Sequence, residues 1–240
     1  TFTGVASFNY ELSDGTSGTT SDNPATVTLS NLTTSHNYTI VSLSDANGCD
    51  VPPENITGSA EVNVFDEFDA GEISLEGETI CFGETPSTIA SNRDASGGNG
   101  APIYRWQYST DESNWNDIAS SNTAAYRPGA LTQTTWFRRQ AQNEACNTGW
   151  VNSDNTYKVT VSVPELDGIA SGDIVWYGAM GTNWSTAGNW LSYNGSAYSV
   201  AASAPSNSTN VFIVSYGDNC VTNNPVLTGA SASKNLTIAS

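Results

Sequence analysis

The feature that most constrains this fold is a succession of short runs in which apolar and polar residues alternate, each closed by turn residues. The clearest examples lie between Cys81 and Cys146, at residues 103–108 and 134–140. Alternation with a period of two directs one face of a strand toward a core and the other toward water. The pattern therefore predicts antiparallel β-structure, and for this stretch a β-sandwich.

The aromatic residues of this stretch favour an immunoglobulin-like core. Tyr104, Trp106 and Tyr108 alternate along one run between two cysteines, so their side chains share a face. Trp106 is the expected central residue of the core. The residue two before Cys146 is Glu144, where a tyrosine corner would place Tyr. We therefore expect a module that is Ig-like in architecture only.

The cysteines indicate disulfide chemistry rather than a metal site. The chain has four cysteines and no Cys-x-x-Cys pair. Cys81 and Cys146 lie in the same module, and we predict a disulfide between them. In a chain-entropy model such a bridge stabilises the fold by about 4 kcal/mol. Two free thiols are the alternative, and the sequence assigns no partner to Cys49 or Cys220.

The charge balance excludes several classes of partner. The chain carries 24 acidic and 7 basic residues, for a net charge of −17. Nucleic acids and anionic membrane surfaces both need clustered Lys and Arg, so neither is expected as a partner. No apolar run is long enough to span a bilayer, which predicts no membrane insertion. A low pI, few charged residues and disulfide-type cysteines are typical of extracellular and cell-surface proteins.

Composition divides the chain into three segments. Residues 1–65 contain no Lys or Arg and are interpreted as a partial Ig-like or PKD-like module. Residues 66–164 are interpreted as a complete Ig-like β-sandwich, and residues 165–240 as the Trp-rich start of a β-helix-like region. Both ends of the chain lie close to a strand pattern, so we expect a fragment of a longer protein. The strands expected in the first segment are 7–12, 26–29, 38–43 and 60–64.

Two patterns distinguish the third segment. Tryptophans and tyrosines crowd residues 176–198, and the apolar runs 211–214 and 236–238 recur about 25 residues apart, near the length of one solenoid coil. The aromatic cluster has two interpretations. It either stacks on sugar rings as an exposed carbohydrate-binding surface, or it packs as the cap of a solenoid. The Asn-Trp repeats favour the packed cap.

Acidic residues at the first segment boundary predict a cation site. Asp66, Glu67 and Asp69 lie within four residues, with Glu72 close behind. Calcium takes six to eight hard oxygen ligands of this kind, so a calcium ion could stiffen the junction. The alternative is a solvated acidic linker. No other cofactor is predicted.

Nothing in the sequence indicates catalysis. The sequence has none of the nucleophile-elbow, zinc-protease, phosphate-loop or dinucleotide motifs, and His36 is its only histidine. We therefore expect a protein that is not an enzyme, with no catalytic or cofactor-binding residues. Arg138 and Arg139 are adjacent on a predicted strand and so face opposite sides. Any basic face is expected to pair with acids of the same module.

Three stretches resemble the tandem modules of large Bacteroidota surface proteins, the gliding-motility adhesins and related type IX-secreted proteins. They are residues 37–40 followed by 45–49; residues 70–81 together with 104–107, Trp115, 131–135 and 138–139; and 176–178 with Asn183-Trp184 and Asn189-Trp190. The resemblance implies tandem Ig-like and PKD-like sandwiches followed by a β-helix-like region, at the cell surface. It also implies that Cys49 pairs with a cysteine on an earlier strand that this sequence does not include. Glu112 departs from the family, which tends to have Gly there.

These observations lead to two functional hypotheses. The first is a non-enzymatic structural or adhesive fragment, a stalk or spacer of a large secreted cell-surface adhesin. Its partners would be other modules of the same chain, surface glycans or other cell-surface proteins. The alternative is an accessory glycan-binding region of a secreted polysaccharide-degrading enzyme. Exposure or burial of the aromatic cluster at 176–198 discriminates between them.

Overall fold

A computed structural model describes residues 4–143, 149–163, 166–214, 220, 223–226 and 233–239. Its regular structure is almost entirely β, which confirms the predicted all-β class. The chain forms two compact units, one comprising residues up to 68 with residues 97–99, the other comprising 69–96 and 100 onward. Within the described residues, no helix is long and apolar enough to cross a lipid bilayer.

The first unit is built from two small antiparallel sheets. Its strands are β1 (Phe8–Leu12), β2 (Ser17–Thr20), β3 (His36–Tyr38), β4 (Ile40–Ser44) and β5 (Ala60–Val62), with one 3-10 turn at Pro53–Asn55. The sheets have the orders β2–β1–β4 and β3–β5. The buried apolar side chains of this unit are Phe8, Leu12, Tyr38 and Leu43.

The strand predicted at 26–29 is wrong. These residues lie outside both sheets. Val27 and Leu29 instead line an apolar cavity of about 460 Å³ together with Leu12 and Tyr38. The alternating apolar residues therefore belong to a surface loop beside this cavity, in which Leu29 is half-buried and Val27 is exposed.

The second unit begins with two sheets that enclose an apolar core in a sandwich-like arrangement. The strands of the larger sheet are β7 (Glu78–Cys81), β9 (Ile103–Ser109), β10 (Asn116–Asp117), β11 (Thr135–Gln142), β12 (Val151–Asn152) and β13 (Tyr157–Ser162). Their order is β10–β9–β11–β13–β7, with β12 against β11 and with β13 and β7 parallel. The smaller sheet pairs β6 (Glu72–Ile73) with β8 (Ser91–Arg93).

Trp106 lies at the centre of this core, as predicted. Its side chain is fully buried beside Ile73, Phe137 and Val159. The indole Nε1 donates to the carbonyl oxygen of Thr123 at 2.9 Å, so the buried ring leaves no unpaired polar atom. Alternation along β9 therefore identified the face on which Trp106 is buried, although Tyr108 on that face is 39% exposed.

Strand β11 presents its two arginines on opposite faces, which confirms the predicted alternation. Arg138 lies on the outer face and remains partly exposed, whereas Arg139 is fully buried. The Arg139 guanidinium donates to the carbonyl oxygens of Ala70, Arg93 and Ala124 at 2.9–3.0 Å. These bonds join β11 to the residues around β6 and β8.

The remaining strands form a mixed sheet in the same unit. They are β14 (Ile174–Trp176), β15 (Trp190–Tyr193), β16 (Tyr198–Val200), β17 (Asn210–Val214) and β18 (Asn235–Ala239), with a 3-10 turn at Ala187–Asn189. The order is β16–β15–β14–β17–β18, and β14, β17 and β18 are parallel. The register pairs Asn210 with Asn235 and Val211 with Leu236, so the 25-residue recurrence is an in-register ladder.

This mixed sheet has a core of its own around Trp176, Trp184 and Trp190, and it also contacts the core of the sandwich-like part. Leu191 on β15 belongs to the same buried cluster as Trp106, and Tyr177 packs against it. The Tyr177 hydroxyl donates to the carbonyl oxygen of Phe82, and the two rings meet edge to face. The predicted boundary near residue 164 therefore falls inside the second unit.

Candidate functional site

The predicted disulfide between Cys81 and Cys146 is wrong, because Cys81 is bonded to Cys220. Their Cα atoms are 5.3 Å apart although 139 positions separate them in the sequence. Cys81 ends β7, at the edge of its sheet, and the segment containing Tyr177 packs on the following residue, Phe82. This packing brings the C-terminal part of the chain to Cys81. Cys146 lies outside the described residues, and within them Cys49 is exposed and has no disulfide partner.

The acidic residues predicted to bind calcium differ in their environments. Asp66 and Glu67 are exposed. The Asp69 carboxylate accepts from the Gly71 N–H at 2.7 Å and from Arg93, and these two groups hold its pKa below the ordinary value. Among the described residues, no group of three or more His, Cys, Asp or Glu side chains could hold a metal. The calcium site stays a prediction that calorimetric titration would test.

The aromatic cluster at 176–198 is largely packed, as expected for a cap. Trp176, Trp184 and Trp190 are at most 4% exposed. Trp190 meets the other two rings edge to face, with centroids 4.7–4.8 Å apart. Buried Asn189 donates to the Asn183 carbonyl oxygen at 2.9 Å, so asparagines order the turn that carries these rings. The cluster presents no row of exposed indoles, which argues against it as a sugar-stacking surface.

The outer face of the larger sheet carries a connected network of polar side chains that the sequence did not identify as a site. On this face Arg138 lies opposite Gln107, and Arg105 lies opposite Gln140. The Nε of Arg138 donates to Gln107 at 2.7 Å, and the Nε of Arg105 donates to Gln140 at 2.6 Å. The amide of Gln107 donates in turn to Asp117 at 2.5 Å. Both guanidiniums are thus fixed by amides that are themselves almost fully buried.

Three tryptophans lie beside three cations on the same face. Arg105 stacks 4.5 Å from the ring centroid of Trp150, and Arg138 stacks 4.3 Å from that of Trp115. The Lys158 ammonium lies 5.1 Å from the Trp136 centroid, across the β11–β13 pairing. Each such contact is worth about 0.5–1 kcal/mol at an exposed site. We call these three cations and three tryptophans the cation–aromatic face.

Positive charge is concentrated on the cation–aromatic face. Partial burial, and then the nearby charge of Arg105, lower the pKa of the Arg138 guanidinium from its ordinary value, while Asp117 acts in the opposite direction. Arg105 forms an ion pair with Asp117 at 3.2 Å. Within the described part of the chain, Arg138 and Lys158 have no ion pair. The expectation that a basic face pairs with the module's own acids therefore holds for Arg105 but not for these two.

Sequence reasoning missed this face for an identifiable reason. Trp115 and Trp150 precede the short strands β10 and β12, so they lie outside the regular alternation that assigns faces. A signal was available, since Arg138 and Trp136 alternate on β11 and Arg105 shares the outer parity of β9. Cross-strand register, which pairs these positions, is set by the fold.

The single histidine has a local structural role. The His36 ring lies 3.1 Å from the Ser13 hydroxyl through Nε2 and 4.6 Å from the Tyr38 ring centroid. The first contact ties β3 to the residue that follows β1, and the second lies within β3 itself. No described carboxylate or cysteine joins it in a metal-binding group. The absence of catalysis stays a prediction.

Comparison with known proteins matches the middle of the chain to one family. A model described as a domain of unknown function (DUF8696) matches residues 69–163. This range contains β6 to β13, and therefore the cation–aromatic face, and ends before β14. No curated protein matches the chain.

Proposed function

We propose that this chain is a non-enzymatic structural and adhesive part of a large extracellular surface protein. The single observation that carries the proposal is the Cys81–Cys220 disulfide, which ties strand β7 to the C-terminal part of the same unit. Disulfides persist in oxidising compartments, which favours a secreted location. A covalent tie between distant parts of a unit suits a segment that transmits force.

The packing of the second unit supports the same role. Leu191 joins the core around Trp106, so load applied to the β14–β18 sheet reaches the sandwich-like part through apolar contacts as well as through the disulfide. Loss of the disulfide alone would leave the apolar contacts of Leu191, and loss of those contacts alone would leave the disulfide. A spacer that resists extension needs this kind of redundancy.

The proposal includes a finer description of the architecture. The β6–β13 part is an Ig-like sandwich with Trp106 as its central residue, and the first unit is PKD-like. The parallel strands β14, β17 and β18 are the first coils of a β-helix. Supporting this, Asn235 donates to Asn210 at 2.8 Å and Asn210 donates to Asp173 at 2.8 Å. Such side-chain ladders stack in register between parallel strands.

Single-molecule extension of the chain by its ends tests the structural role. With the disulfide intact, unfolding of the second unit withholds the segment between the two cysteines. Reduction should release that segment of 139 positions, adding about 460–500 Å of contour length. Cys220→Ser should show the longer extension without reductant, and Cys49→Ser should behave as the unmodified chain.

Two outcomes would overturn the proposal. Equal contour lengths with and without reductant would remove the covalent tie that supports a load-bearing role. Release of reducing sugars from polysaccharides by the purified chain would contradict its non-enzymatic character.

The alternative function, an accessory glycan-binding region, was inferred from an exposed aromatic cluster. The tryptophans at 176–190 are buried, so this cluster no longer supports it. A different observation favours it. The cation–aromatic face carries three partly exposed indoles beside fixed polar groups.

A further inference from the structure

We infer that the cation–aromatic face binds an acidic polysaccharide, a chain of uronate pyranoses whose carboxylates are held by Arg138 and Arg105. The inference deepens the adhesive part of the proposed function and rests on it. Indole rings offer flat apolar surfaces to the C–H faces of sugar rings. Guanidiniums offer forked donors that match a carboxylate.

The distribution of charge points to an anionic ligand. The chain has only 7 basic residues against 24 acidic ones, yet Arg105, Arg138 and Lys158 share this one face. The ion pairs of the described residues engage only Arg105 among these three, through Asp117. An acidic protein that places three of its few cations together leaves a local field that attracts anions.

The hydrogen bonds of the two arginines leave their outer nitrogens available. For Arg138, Nε donates to Gln107, and the described residues offer no further hydrogen-bond partner to this side chain. For Arg105, Nε donates to Gln140 and one terminal nitrogen donates to Asp117. Because buried amides hold both guanidiniums in place, a carboxylate that binds their free edges orders little that is not already ordered.

The three tryptophans of this face supply the apolar surface that packs against the sugar ring. Trp150 is 36% exposed, and Trp115 and Trp136 are partly exposed. A cation covers part of each ring, which also fixes its orientation. The remaining indole surface is therefore rigid, apolar and adjacent to positive charge. A pyranose that carries a carboxylate satisfies both features, whereas a neutral sugar satisfies only the first.

A second copy of this chain is the competing occupant, because residues 1–65 carry seven acidic residues and no Lys or Arg. The glycan is favoured because three indoles beside fixed guanidiniums match a ring bearing a carboxylate. Exposed acidic side chains alone would need no aromatic surface.

Affinity electrophoresis of the full chain in gels that contain polygalacturonate tests the inference. Highly methyl-esterified polygalacturonate is the matched neutral polymer, because it keeps the sugar backbone and removes the charge. We expect retardation by the acidic polymer, at least tenfold weaker binding to the esterified one, and weakening as salt is raised. Arg138→Gln should weaken binding at least tenfold, and Asp117→Asn should strengthen it.

Arg127→Gln is the control, since it removes an exposed arginine of the same unit and should change affinity less than twofold. Thermal unfolding of each variant confirms that it is folded. Equal binding of the two polymers, or unchanged binding of Arg138→Gln, would overturn the inference. Concentration-dependent self-association that disappears in Arg138→Gln, without polysaccharide binding, would assign the face to a second copy. The extension experiment measures the segment closed by the disulfide, so a negative result in the polysaccharide experiment would not change its outcome.

Discussion

Replacement of Arg139 by methionine tests the most unusual feature of the core, a fully buried cation that has no carboxylate partner among the described residues. The guanidinium makes its close hydrogen bonds to the Ser91 hydroxyl at 2.6 Å and to three carbonyl oxygens at 2.9–3.0 Å. The Nε of Arg139 has no hydrogen-bond partner among the described residues. The pKa of the guanidinium is lowered chiefly by burial. The tight clustering of acceptors suggests that the side chain joins the two sheets.

The expected loss of stability in Arg139→Met follows from two opposing contributions. Hydrogen bonds to a charged group contribute about 1.5–3 kcal/mol each, so the gross stabilisation is about 6–12 kcal/mol. Burying the charge costs several kcal/mol, and this cost disappears in Arg139→Met. The carbonyl groups of Ala70, Arg93 and Ala124 would remain buried and lose their donors. We expect a net destabilisation of about 3–5 kcal/mol.

Chemical denaturation followed by tryptophan fluorescence measures this loss, with Arg127→Met, which removes an exposed arginine of the same unit, as the control. A thermal melt should show a decrease of roughly 6–20 °C for Arg139→Met in a unit of this size. The control should change stability by less than about 1 kcal/mol. If Arg139→Met is as stable as the unmodified chain, the desolvation cost outweighs the hydrogen bonds and the reasoning is refuted.

Three further predictions concern the same unit. Trp106→Ala should destabilise it by about 3–5 kcal/mol in chemical denaturation, because a fully buried indole leaves a cavity; an unchanged midpoint would contradict the core assignment. Glu112 has a φ of 60°, so Glu112→Gly should raise stability by about 0.5–1 kcal/mol in thermal melts, and a decrease would show that the turn tolerates Glu without strain. Asp111 accepts hydrogen bonds from Asn114, Ser113 and Ser109, which lower its pKa well below the ordinary value. Its stabilisation is present above the unfolded pKa of about 3.9 and is lost as pH falls below it, so Asp111→Asn should flatten the acid limb of a stability–pH curve.

Local patterns predicted a substantial part of the fold because they depend on neighbouring residues alone. Alternation identified β9 and β11, the burial of Trp106 and the opposite faces of Arg138 and Arg139. The apolar runs that recur about 25 residues apart pair as parallel neighbours in β17 and β18, and the β-helix inferred from them stays a prediction. The strand predicted at 26–29 failed for the converse reason. Alternation indicates which side chains are apolar, but not whether a neighbouring strand exists to pair with the backbone.

The cation–aromatic face could not be predicted in the same way. Trp115 and Trp150 are as aromatic as Trp176 and Trp190, and composition does not separate the exposed pair from the buried pair. Which indole is covered depends on the packing of whole sheets. The contacts of Arg105 and Arg138 with their tryptophans also span strands that are distant in sequence.

The sequence by itself determined the all-β class, the alternation of faces along each strand and the acidic character of the chain, because each is a property of residues read in order. Only the tertiary structure decided that Cys81 pairs with Cys220, that Arg139 is buried, and that three cations meet three tryptophans on one face. A disulfide needs its two Cα atoms within about 7 Å, and a cation must lie within about 6 Å of a ring centroid. Such distances between residues far apart in the chain exist only after the sheets have packed.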